Sequence, residues 1–81
     1  MASPSHEAVF RECVSAFTPM AERIARAYEA RQELVDELTQ EVFLAVWRSV
    51  QNFEGRSSLK TYVGRIAHNV CVSHVRRESK K

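Results

Sequence analysis

A chain of 81 residues makes one small domain, which buries roughly 60–65% of its unfolded surface on folding. Apolar residues reach 44% and charged residues 27%, with two Gly and two Pro, which excludes a disordered tail and favours a compact helical domain. The formal charge of +2 conceals a dipolar chain: residues 1–54 carry five Arg/Lys against nine Asp/Glu, net −4, and residues 55–81 carry seven against one, net +6.

Apolar spacing predicts an all-α bundle of about four helices, at about 5–17, 19–31, 33–52 and 57–77. Ser5 is a natural N-cap for the first, in which Val9, Phe10, Cys13, Val14 and Phe17 recur at helical intervals. Thr18-Pro19 is expected to end that helix and begin the next, with Thr18 as cap and Pro19 in the first turn. The second helix should bury Met20, Ile24, Ala27 and Tyr28, keep Glu22, Arg23, Arg26 and Glu29 outward, and fray near Arg31-Gln32.

The third helix carries a core stripe of Leu34, Leu38, Val42, Val46 and Val50, widened by Val35, Ala45 and Phe53. Its other side shows Glu33, Glu37, Gln40, Glu41, Leu44 and Arg48, with Phe43 and Trp47 on the flank. An acidic helical face is most often plain solvation. Here an exposed leucine lies among the carboxylates, the mixture that a protein-binding surface requires.

Gly55-Arg56-Ser57-Ser58 supplies a turn with two candidate caps before the fourth helix. Leu59, Val63, Ile66, Val70 and His74 or Val75 face inward, while Thr61, Arg65, Asn69, Ser73 and Arg77 form a ribbon at spacing four. Lys60 and Tyr62 stand beside its start, so an aromatic ring adjoins cations, as in single-strand binders. A basic helix end with one tyrosine is by itself more often an ordinary solvated face.

The remaining constellations carry little chemistry. His68, Cys71 and His74 have metal-like spacing, but on a helix they fan through about 120° over about 9 Å, so no metal site is expected. Cys13 and Cys71 are too isolated for a disulfide framework and are read as packing residues in a reducing cytoplasm. No apolar run reaches the ~18 residues of a membrane span, and the N-terminus shows no apolar core of signal-peptide length. No glycine-rich phosphate loop occurs, and the carboxylates sit on solvated faces without a pocket, so neither a cofactor nor enzymatic activity is expected.

The order of the motifs is more specific than any one of them. Asp36-Glu37, Leu38-Thr39-Gln40-Glu41-Val42-Phe43, Trp47, Asn52-Phe53-Glu54-Gly55, Ser58-Leu59-Lys60-Thr61-Tyr62, Arg65-Ile66-Ala67-His68-Asn69 and Arg76-Arg77 follow in sequence. Over about residues 7–77 the chain resembles region 2 of a sigma-70 family RNA polymerase sigma factor, of the extracytoplasmic-function (ECF) group. The resemblance implies a helical sigma region 2 domain over residues 1–81, without the region 4 domain and with a basic linker or tail beginning at 78–81. It implies docking on the clamp helices of the polymerase beta-prime subunit through Asp36, Glu37, Gln40, Glu41, Leu44 and Trp47. It implies recognition and melting of the promoter minus-ten element, with an unstacked base of the non-template strand held in a pocket. Tyr62 would stack and Asn69 would read a base edge. Lys60, Arg65, Arg76 and Arg77 would meet phosphates, with Thr61 and Ser73 on the same ribbon.

An anti-sigma factor is a further partner implied by the resemblance. The chain departs from the family pattern at Tyr62, where Trp is common, at Gly64, where an aromatic is common, and at Ser73, where an acidic residue is frequent. Two other readings compete: a helical adaptor whose acidic face alone is functional, and a small duplex-binding helix-turn-helix regulator. The 20-residue third helix and its long connection disfavour the regulator. The adaptor differs from the sigma domain in predicting no preference for minus-ten single strands over scrambled DNA.

Overall fold

The computed structural model describes residues 5–80. They form three α-helices and one short 3-10 turn: α1 (His6–Tyr28), α2 (Gln32–Ser49), the turn Val50–Asn52, and α3 (Leu59–Ser79). The α1–α2 corner spans three residues, 29–31, and the longer α2–α3 connection passes through Gly55, whose φ of +74° lies where a side chain would be strained. Phe10 meets Trp47, Ser49 meets Tyr62, and Tyr28 meets His68, so α2 runs antiparallel to both α1 and α3. The bundle measures 50 × 21 × 17 Å.

The all-helical class agrees with the sequence, but its first two expected helices are a single one. Helix α1 continues through Pro19. The apolar series Phe10, Cys13, Phe17, Ala21, Ile24 and Tyr28 keeps one phase across the proline, so a continuous rod buries both halves on the same face. Breaking it would turn one half away from the core, which outweighs the hydrogen bond that Pro19 cannot donate. Thr18 does not cap a new helix; its Oγ1 donates to Val14 O at 2.5 Å. At the start of α1, Ser5 caps as expected and accepts from Ala8 N at 3.1 Å.

The core takes Cys13, Ala21 and Ala25 from α1, Val35, Leu38, Val42, Phe43 and Val46 from α2, and Val63, Ala67 and Cys71 from α3. Small residues predominate on α1 and α3, which lets the helices approach closely. Ala27, expected inside, is exposed, because Ala21 and Ala25 occupy the inner face. Between the two candidates on α3, His74 is buried and Val75 is exposed.

Glu29, expected outward, is buried and organises the corner. Its backbone is extended and ends α1 without a glycine. Its carboxylate accepts from Arg31 N (2.9 Å), Nε (3.0 Å) and Nη2 (2.8 Å), and from His74 Nε2 (2.9 Å). An ionised carboxylate only accepts, so His74 Nε2 carries the proton. The Arg31 bonds, with the His74 bond added, hold the Glu29 carboxyl well below the usual carboxylate range. A negative charge at a helix C-terminus opposes the macrodipole, and the Arg31 guanidinium offsets it.

Helix α3 begins at Ser58, whose Oγ accepts from Thr61 N at 3.1 Å; Ser58, not Ser57, is therefore the cap. It runs unbroken past Asn69 to Ser79, so residues 78 and 79, expected in a tail, are helical. Lys81 and residues 1–4 lie outside the described residues. No helix among the described residues is long and apolar enough to cross a membrane.

Candidate partner groove and nucleic-acid face

Helices α1 and α2 diverge along one side and leave a shallow apolar groove of about 700 Å³. Each contributes positions i, i+3, i+4 and i+7: Glu7, Phe10, Arg11 and Val14 from α1, and Gln40, Phe43, Leu44 and Trp47 from α2. Leu44 and Trp47 are 49% and 48% exposed, the largest apolar surfaces that the described residues leave to solvent. Trp47 is fixed nonetheless, because Phe10 meets it edge to face with ring centroids 5.1 Å apart. A fixed indole at the end of an apolar trough is an anchor that a partner helix can bury, and the two charges in the trough's wall, Glu7 and Arg11, pair with each other at 2.7 Å.

The six candidate polymerase residues are all exposed on α2, but they do not share one environment. Gln40, Leu44 and Trp47 border the groove. Asp36 accepts from Gln32 Nε2 at 3.0 Å, and Glu37 lies on the open face. Glu41 turns the other way, toward α3, and meets Arg77 Nη2 at 3.8 Å.

A second depression of about 280 Å³ lies where α2 gives way to the connection. Ser49, Asn52, Phe53, Glu54, Arg56, Ser57 and Tyr62 surround it. Tyr62 is half-buried there: its ring packs on Phe53 with centroids 4.6 Å apart and planes tilted by 41°, and its hydroxyl bonds the Ser49 hydroxyl. The cup holds aromatic surface, an amide and hydroxyls of the kind that can contact an unstacked base, together with the Arg56 guanidinium, which pairs with the Glu54 carboxylate at 3.7 Å.

The rest of the basic ribbon is exposed along α3, with Lys60, Arg65, Asn69, Ser73, Arg76 and Arg77 all open to solvent. Asn69, Ser73 and Arg77 share a third depression with Glu41 and Val70. Thr61 is exposed but partly committed, since its N–H and Oγ1 both bond Ser58. The structure thus gathers Asn69, Ser73 and Arg77 at one place and sets Tyr62 at another, nearer the start of α3.

The two histidines of the metal-like triplet have other partners. His68 Nδ1 shares a hydrogen bond of 3.1 Å with Tyr28 Oη, and His74 bonds Glu29. Burial pushes the Cys13 and Cys71 thiols up, the more so beside Glu12 and Glu41 respectively, as suits packing residues.

Sequence reasoning missed the α1 wall of the groove and the contribution of Ser49 to the cup. The first was legible in principle, because Phe10 and Val14 lie four apart on one side of α1, with Glu7 and Arg11 beside them. The second was not, since Ser49 and Tyr62 belong to different helices.

The chain itself falls in a known class. The family model described as Sigma-70 region 2 matches residues 13–81, and the chain belongs to that family. Over 54 residues it is 39% identical to proteins named "ECF RNA polymerase sigma factor SigG" from two strains of Mycobacterium tuberculosis, CDC 1551 / Oshkosh and ATCC 25618 / H37Rv. Each match covers 64% of this chain and 15% of the relative, so the chain spans a small part of the length of those proteins. No solved structure matches.

Proposed function

We propose that this chain is the region 2 domain of an ECF-type sigma factor, acting in transcription initiation without catalysis of its own. Helix α2, with the α1 wall of the groove, docks on the clamp helices of the polymerase beta-prime subunit. The connection and α3 take up the non-template strand of the minus-ten element in the cytoplasm. The observation that carries the docking half is the groove, with Leu44 and Trp47 exposed, and Trp47 held by Phe10, beside Gln40. Desolvated apolar anchors supply affinity, and carboxylates supply steering and register.

For the strand, the cup at Tyr62 offers stacking surface, and the basic residues of α3 offer phosphate partners. Removing a base from its stack costs a few kcal/mol, which stacking and edge hydrogen bonds offset. Phosphate partners would be Lys60, Arg65, Arg76 and Arg77, with Asn69 as the base-edge reader. An anti-sigma factor would compete for these surfaces.

Binding to isolated beta-prime clamp helices tests the docking reading, with wild type compared with Gln40→Ala and Glu41→Lys and helicity checked by circular dichroism. Both variants are expected to keep their helicity; Gln40→Ala, on the groove, should bind about two- to tenfold more weakly, and Glu41→Lys, which faces α3 rather than the groove, should weaken binding through lost steering and so most at low salt. A folded wild type that ignores the clamp helices would overturn it. Preference for minus-ten single strands over scrambled ones tests the DNA half and separates the sigma domain from a purely protein-binding adaptor.

A further inference from the structure

Tyr62 packs against the core cluster, with a face on Phe53 and its tip bonded to Ser49. Ser49 is the last residue of α2, and its Oγ also lies 3.4 Å from Val46 O as donor. With that hydroxyl proton directed at the carbonyl, the Tyr62 O–H donates to Ser49 Oγ, and the chain of bonds ends on the α2 backbone. The ring is therefore referenced to α2 although it projects from α3. Core and Phe53 packing leave the ring room for small shifts in its own plane, and the bond at its tip removes them.

We propose that Ser49 is a positioning residue for strand binding, which acts through the Tyr62 hydroxyl to hold the ring as a preformed wall of the cup. The proposal rests on the reading of the cup and α3 as the strand-binding face. Ser49 need not touch the nucleic acid. Its part is to settle the ring before the base arrives, so that the ordering cost is met in folding rather than in binding. The tyrosine, where the family resemblance leads one to expect tryptophan, is on this view matched to a serine on the neighbouring helix.

The test uses the full chain and a short single-stranded deoxyoligonucleotide of mixed sequence with one 2-aminopurine, whose fluorescence falls when it stacks on an aromatic ring. Ser49→Ala is expected to bind about two- to tenfold more weakly and to quench less at saturation. Tyr62→Phe should lose about as much, and the double variant no more than either, since both remove one link. Ser49→Thr, which keeps the hydroxyl, should restore affinity and quenching. Clamp-helix binding, measured in parallel, should stay at the wild-type level in Ser49→Ala, which reports an intact fold.

Wild-type affinity and quenching in Ser49→Ala, or losses that add in the double variant, would overturn the positioning role. If wild type binds the strand and Tyr62→Ala does not, while Ser49→Ala is unaffected, the strand-binding reading stands and the positioning role falls. If wild type does not bind the strand, both fall.

Discussion

Glu29 shows how much one side chain can settle. It stops α1 in the absence of a glycine, takes three bonds from Arg31, and reaches His74 across the bundle at 2.9 Å. With only 8% of its side chain exposed, it is a charge the fold keeps because every bond it needs is present. Its carboxyl is held low in the folded state, so its contribution to stability is fully present above the unfolded value of about 4.3 and is lost as the pH falls below that. Urea unfolding at pH 7, 4 and 3 should show wild-type stability declining through the acid range. Glu29→Gln should be less stable at pH 7 and fall less steeply in acid; an equal slope in the two proteins would remove Glu29 from the explanation. A sequence pattern could not find this group, because glutamate beside Arg31 reads as solvated and the His74 that helps bury it lies 45 residues away.

Among the elements, α2 was the most legible and α1 the least. Of the expected stripe, Leu38, Val42, Val46 and Val50 are buried as their spacing requires and Leu34 is half-buried, while Phe43, expected on the flank, is buried with them because α2 packs on both other helices. The break assigned at Thr18-Pro19 followed a local rule, and the uninterrupted apolar phase on either side overrode it. Packing decided, as it does when a helix can bury a whole face only by continuing. The candidate α2 residues were legible as an exposed set. Their division between a groove on one side and α3 on the other was not, since it depends on which neighbours flank the helix.

Helix α3 offers a further test at this scale. A Cβ added at Gly64 would meet Met20 Cε at 4.0 Å, an ordinary contact, so the glycine is not demanded by a close approach. Gly64→Ala is expected to raise stability by about 0.5–1 kcal/mol, read from the denaturant midpoint. A lower midpoint would show that the position needs its backbone freedom.

For the whole molecule, the charge division of the sequence becomes a division between neighbouring helices. Acidic α2 and basic α3 lie side by side and antiparallel, so opposite charges meet across their seam rather than at opposite ends of the bundle. The Glu41–Arg77 contact is that seam, 3.8 Å long with both side chains at least half exposed. As a prop for the fold such a pair is weak, about 0–1 kcal/mol.

Its larger consequence concerns ions. Glu41 is a counterion that the protein supplies to its own arginine, and on the proposed strand-binding reading a phosphate arriving at Arg77 would displace a carboxylate that never diffuses away. No salt ion would then be exchanged at that position on the protein's side, and the strand would meet a residue already partly neutralised. Glu41→Gln should therefore tighten single-strand binding and steepen its dependence on ionic strength, by up to about 0.7 in the log–log slope, and Arg77→Ala should cancel both effects. A partner that occupied Glu41 would leave the same mark, changing how α3 responds to salt without touching α3.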